Sequence, residues 1–378
     1  MIETELRNDV LAAAATSLND AKFGAPDRTI RRVIGDGASV ADRVLEDVSR
    51  EDLLALHRDM VLLRVFDERA VAYQRQGRIG TYAIFWGHEA IQAGAHFALS
   101  PETDWVFPSY RESAIGVLRG LDPATVLAWW RGHPAGWWNP LEQRVAGIAV
   151  PIASQVPHAA GAAWGMRLKH EPGCALAFFG DGATSEGAFH EGVNFAAVMK
   201  APLVLICNNN GWAISTPVER QCRAVALVDK ALGYGIPGVR VDGADVLAVL
   251  EATRDAVTRA RNGDGPTLIE AVHYRIAPHA TADDPRCYRT DDRSEHERHR
   301  ECLTRYEAYL QRQGILDDAA ATEARADATE VVRRAMRAVE SLPDPDPAMI
   351  FDTTYAAPPQ ELLRQRELAL DGARGGVR

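Results

Sequence analysis

The 378-residue chain has no CxxC pair; its five cysteines, Cys174, Cys207, Cys222, Cys287 and Cys302, are odd in number and widely spaced. That pattern excludes a thiolate zinc framework and a disulfide scaffold, and fits reduced thiols in a cytoplasmic protein. Positive charge is in deficit, with 42 Lys and Arg against 52 Asp and Glu and a net charge of −10. A duplex nucleic-acid binder carries the opposite footprint, although a local pocket can still oppose the global sign and hold an anion. No apolar run approaches the ~20 residues that span a bilayer. The amino-terminal stretch "MIETELRNDVLAAAATS" has early acids and too short an apolar run for a signal sequence. These absences predict a soluble cytoplasmic protein with no nucleic-acid and no membrane partner. A nicotinamide-binding dehydrogenase is also disfavoured, because no GxGxxG with an acid about 20 residues further on follows the early strands.

What is present is an alternation of short apolar segments and helical text. "CALAFF" (174–179), "PLVLIC" (202–207), "GVRV" (238–241) and "PTLIEAVHY" (266–274) read as strands. Helical stretches fill the gaps: "QVPHAAGAAWGMRLK", "FHEGVNFAAVMK" and "ADVLAVLEATRDAVTRARNG". Such alternation predicts an α/β fold whose central, mainly parallel sheet has helices on both faces. Ser49 begins a further helix with Leu53, Leu56, Met60, Leu63 and Val71 on one stripe. The expected organisation is an irregular arm over 1–48, an α/β domain over 49–293, and a helical extension over 294–378 packed on that domain.

"GDGATSEGAFHEGVNFAAVMKAPLVLICNNN" (180–210) carries the chemistry. A strand ending at 179, a helix over about 184–199 and a second strand over 202–207 form one parallel crossover. Asp181 and Asn210 then land at the same sheet edge, where open α/β sheets bind ligands. One carboxylate, one carboxamide and a backbone carbonyl leave a hard cation unsaturated, and Mg²⁺ completes such a shell from phosphate and water. The glycines beside Asp181 admit a diphosphate close to the backbone, and the next helix start offers free N–H groups. Either GDG or NNG alone marks a turn more often than a site; their pairing across one crossover points to a ligand.

That pairing resembles the pattern of thiamin-diphosphate enzymes. "GDGATSEGAFHEGVNFAAV" and "NNGWAIST" narrow the resemblance to the alpha subunit of the decarboxylating first component of 2-oxo acid dehydrogenase complexes. It extends through "QGRIGTYAIFWGHEA", "SYRE", "VPIASQVPHAAGAAWG", "YGIPGVRVDGADVLAV" and "YRIAPHATADDPRCYR", over roughly 50–375. The resemblance implies the thiamin-diphosphate-binding fold, with Mg²⁺ held by Asp181, Asn210 and the Trp212 carbonyl. It places Tyr110 and Arg111 on the diphosphate, Ile152 beneath the cofactor rings, and Gly182 and Ala183 in the cofactor-binding turn. His279 would contact the diphosphate and serve as the catalytic side chain, with Arg275 supporting its loop. For Ile152 the letters fit a core residue equally well. Asn209 reads as structural, and Asn208 is open.

Some positions depart from the family. Ala280 stands where mammalian members carry a regulatory Ser directly after the histidine. Ala149 replaces the usual Ser or Thr before Ser154 and Gln155, which argues against a bound K⁺ there. The family draws a catalytic Glu from a beta subunit, so an α₂β₂ heterotetramer with a beta partner is expected, acting with a lipoylated acyltransferase second component. "HATADDPRCYR" favours a branched-chain 2-oxo acid such as 2-oxoisovalerate. Pyruvate, an acetoin-cleaving or carboligase role, and a degenerate scaffold subunit are the alternatives.

Overall fold

In a computed structural model describing residues 27–35, 42–290 and 292–374, the chain builds its sheet from strands β1 (Asp27–Arg31), β2 (Trp105–Phe107), β3 (Ala175–Gly180) and β4 (Leu203–Asn209), with β7 (Gly238–Asp242) and β8 (Thr267–Val272). The order is β1-β7-β8-β4-β3-β2 and every pairing is parallel. A two-stranded antiparallel hairpin, β5 (Trp212–Ala213) and β6 (Thr216–Pro217), stands apart. The four expected strands form the middle of the sheet, as near-continuous apolar runs buried on both faces should. All seven residues of β4 are buried.

Alternation along the strands divides the core into two layers. Leu176 and Phe178 of β3 and Val204 and Ile206 of β4 join one cluster; Ala175, Ala177 and Phe179 with Leu203 and Leu205 join the other. The first layer is covered by α1 (Arg50–Arg75), α2 (Glu89–Phe97) and the helix Val246–Arg261. The second is covered by Gln155–Leu168 and Gly187–Val198. Ser49 caps α1 in a reciprocal box with Asp52, satisfying two orphan groups of the first turn. Leu53, Leu56, Met60 and Leu63 are buried as their spacing requires, while Val71 is half-buried.

The carboxy-terminal helices pack on the same body. Tyr306 donates to the Leu53 carbonyl at 2.9 Å, and Arg50 donates to the carbonyls of Gly314 (3.1 Å) and Ile315 (2.9 Å). Arg64 of α1 sits buried between Glu89 (2.6 Å) and Glu301 (2.5 Å). Most of the expected amino-terminal arm lies outside the described residues. Its described part is not irregular throughout: Asp27–Arg31 form β1, an edge strand paired with β7. No helix among the described residues is long and apolar enough to cross a membrane.

The register fixes the site. Gly180 of β3 stands beside Asn208 of β4, so Asp181 and Asn210 leave the sheet at one edge. The connection between them is the expected crossover, a 3₁₀ turn Asp181–Ser185 followed by the helix Gly187–Val198.

Candidate functional site

A cavity of about 770 Å³ opens at the carboxyl ends of β3 and β4. Tyr110, Arg111, Ile152, Asp181, Gly182, Ala183, Asn210, Trp212 and His279 all line it. They come from five separate stretches of chain, and the fold brings every one of them to a single volume.

Asp181 is 1% exposed, and its Oδ2 accepts from Gln221 Nε2 at 3.2 Å. No ion pair reaches it among the described residues. Burial pushes its carboxyl up to about 6, with backbone N–H groups and the Arg275 guanidinium relieving only part of the cost. A buried carboxylate without a direct ion-pair partner is what a bound cation would compensate. Asn210 Oδ1 accepts from the Trp212 N–H at 3.1 Å and keeps a second lone pair. The Trp212 carbonyl accepts a long bond from Arg275 Nη1, 3.4 Å, and likewise retains acceptor capacity. Arg275 also donates to the Ile214 carbonyl (2.6 Å) and to Tyr288 Oη (2.7 Å), so it pins the β5–β6 hairpin over the site. Gly182 is needed beneath that hairpin, because a Cβ there would meet the Ala213 Cβ at 2.8 Å.

Arg111, also lining the cavity, is 5% exposed, and its guanidinium is already partly engaged. Nη1 donates to the Ile84 carbonyl, and Nη2 donates to the His279 carbonyl at 3.1 Å and meets His279 Nδ1 at 3.0 Å. Arginine has no acceptor, so Nδ1 must accept; this assigns the proton of the neutral imidazole to Nε2. Burial, then the Arg111 and Arg275 cations, hold the imidazole down to about 3, leaving it uncharged at neutral pH. The Tyr110 ring meets His279 edge-on at 6.0 Å and lies under Arg111 at 5.7 Å.

Ile152 is 46% exposed inside the cavity, which is not the environment of a core isoleucine. In the adjoining loop Ser154 donates to the Pro151 carbonyl at 2.8 Å, and Gln155 Nε2 to the Phe178 carbonyl at 2.6 Å. Gln155 Oε1 is buried without a hydrogen-bond partner among the described residues.

This geometry meets a clear family relationship. A model of the dehydrogenase E1 component matches residues 57–348. The 3-methyl-2-oxobutanoate dehydrogenase subunit alpha of Mycobacterium tuberculosis is 44% identical over 333 residues, 88% of this chain and 90% of the relative. The pyruvate dehydrogenase E1 component subunit alpha is 37% identical in Bacillus cereus and in Bacillus subtilis, over 88% of this chain and 90% of each relative. The chain belongs to the dehydrogenase E1 component family.

Several contacts around this cavity of the E1 component are not marked by its motifs. Gln221, the neighbour of Asp181, lies on a short helix that no motif marks. Asn208 is drawn into a buried network: Nδ2 donates to Glu112 Oε1 (2.8 Å) and meets His88 Nδ1 (3.0 Å), while Oδ1 meets His273 Nε2 (2.5 Å). Asn209 is structural, donating to Glu270 at 2.8 Å. Trp129 and Trp130 form the far wall. Their WW doublet was the available signal, and it carries no more information than a core pair.

Proposed function

We propose that this E1 component chain is the alpha subunit of a 2-oxo acid dehydrogenase complex, acting in the cytoplasm on a branched-chain 2-oxo acid. In this reading it decarboxylates the acid with thiamin diphosphate and Mg²⁺, and the acyl group passes reductively to the lipoyl group of the second component. The observation that carries it is the unpaired, buried Asp181 carboxylate beside Asn210, facing Arg111 and His279 across one cavity.

The donor set fits the cofactor. Asp181, Asn210 and the Trp212 carbonyl supply three hard oxygens for Mg²⁺. Tyr110 and the Arg111 N–H groups not spent on Ile84 and His279 would hold the diphosphate. Ile152, presented rather than buried, would support the rings. When bound, thiamin diphosphate supplies the electron sink for loss of CO₂. The protein's own part is to anchor, to exclude water, and to present the His279 Nε2–H as a neutral donor. K⁺ is not part of this reading, because Ala149 offers no hydroxyl where the family carries Ser or Thr.

The 44% identity to a relative named for 3-methyl-2-oxobutanoate, against 37% to those named for pyruvate, supports the branched-chain substrate. Co-expression with a beta-type partner, followed by decarboxylation assays across 2-oxo acids, tests it. A preference for pyruvate over 2-oxoisovalerate overturns the substrate; full turnover by the isolated chain overturns the subunit assignment.

A further inference from the structure

The segment 79–88 runs as a buried loop between α1 and the cavity wall: Tyr82, Ala83, Ile84 and Phe85 are all buried, without regular hydrogen bonding of their own. Such a loop must find outside partners for its backbone groups. Asp67, in the middle of α1 and 2% exposed, supplies one. Its Oδ1 accepts from the Phe85 N–H (2.9 Å) and from the Tyr82 hydroxyl (3.0 Å). The next carbonyl, that of Ile84, accepts from Arg111, whose other nitrogen holds His279. Tyr82 meets the His279 loop directly as well: its N–H donates to Thr281 Oγ1 (3.1 Å) and its carbonyl accepts from the Thr281 N–H (2.9 Å). The loop is therefore tied to Asp67 on one side and to Arg111 and the His279 loop on the other. Asp67 itself does not line the cavity.

We infer that Asp67 is a positioning residue for the Arg111–His279 pair, acting through the 79–88 loop. The inference rests on the proposed function for its ligand, and on the hydrogen-bond path alone for its structural part. Partners of this outer kind orient the groups that touch a ligand. An Asn at 67 can place its amide oxygen where Oδ1 sits and keep both bonds; an Ala loses both.

The test uses the full chain co-purified with its beta-type partner. Calorimetry reads binding of thiamin diphosphate with Mg²⁺, and hydrogen exchange of the same complex without cofactor reads loop order. In Asp67→Ala, affinity is expected to fall roughly tenfold, with faster exchange over 79–88 and 276–290 and unchanged exchange in β3, β4 and β8. Asp67→Asn is expected to restore both readouts to near wild type. If Asp67→Ala does not yield folded protein, Tyr82→Phe, which removes the phenol donor alone, is read the same way at smaller amplitude. Wild-type affinity and wild-type loop exchange in the variant overturn the inference, as does exchange raised uniformly across the sheet. Absence of cofactor binding in the wild type overturns the functional reading instead, and the exchange arm still decides the role of Asp67.

Discussion

At the scale of single residues the site is built from groups held against their own preference. Asp181 is buried without a direct ion-pair partner, so its ionised form costs stability and gives a cation something to neutralise. Asp181→Asn is therefore expected to abolish Mg²⁺-dependent cofactor binding in calorimetry while leaving the thermal midpoint unchanged or higher, a separation of function from stability. Asp67 makes the same point through pH. Burial raises its carboxyl from 3.8 to about 7. Between those values the folded state keeps a proton that the unfolded chain has released, so stability is full below about 4 and lost as pH rises through about 7. His279 works oppositely: held down to about 3, it costs stability as pH falls below its usual 6.5. Asp67→Asn removes the first slope alone. Its denaturation midpoint relative to wild type is expected to be higher at pH 8 than at pH 5; equal offsets at both pH values contradict the assignment.

At the scale of elements, legibility followed length and pattern. The strands at 174–179, 202–207, 238–241 and 266–274 were readable because buried parallel strands are unbroken apolar runs. β1 and β2 were not: "DRTIR" looks polar, and "WVF" has three residues, too few to show a period. The nine candidates that line the cavity were readable through motifs, whereas Asp67 and Gln221 make tertiary hydrogen bonds that leave no mark in local sequence. Gly182 is a test of an element contact that was legible as a glycine but not as a reason. A methyl at 182 meets Ala213 at 2.8 Å, so Gly182→Ala is expected to lift the hairpin and weaken cofactor binding. Adding Ala213→Gly to it should recover most of the loss, and a double variant no better than the single one would refute the contact. A second element contact is the buried clamp of Arg64 on Glu89 and Glu301, joining α1 to the carboxy-terminal extension. Removing one partner strands two buried carboxylates, so Arg64→Met is expected to cost about 3–5 kcal/mol in denaturant unfolding.

At the scale of the whole molecule, the cavity's chemistry is unevenly complete. Asp181 and Asn210 oxygens, the Arg111 guanidinium and a neutral histidine, His279, all line the cavity. Its lining also includes exposed branched aliphatics: Val150 is 55% exposed and Ile214 55%. Ile214 adopts φ 54°, a left-handed conformation that a β-branched side chain rarely takes. Apolar side chains held exposed around this cavity, one of them on a strained backbone, fit a surface that a partner covers. In the proposed alpha-subunit reading that cover is the beta-type partner. Two consequences separate this from a self-sufficient site. Titrating the beta-type partner into the chain should slow hydrogen exchange over 149–153 and 211–217 at the same stoichiometry at which decarboxylase turnover appears. Val150→Lys, which puts a charge on the rim without touching Asp181, Asn210, Arg111 or His279, should weaken that association more than it weakens cofactor binding per assembled complex. Turnover that rises without protection of the rim would place the partner elsewhere on the chain.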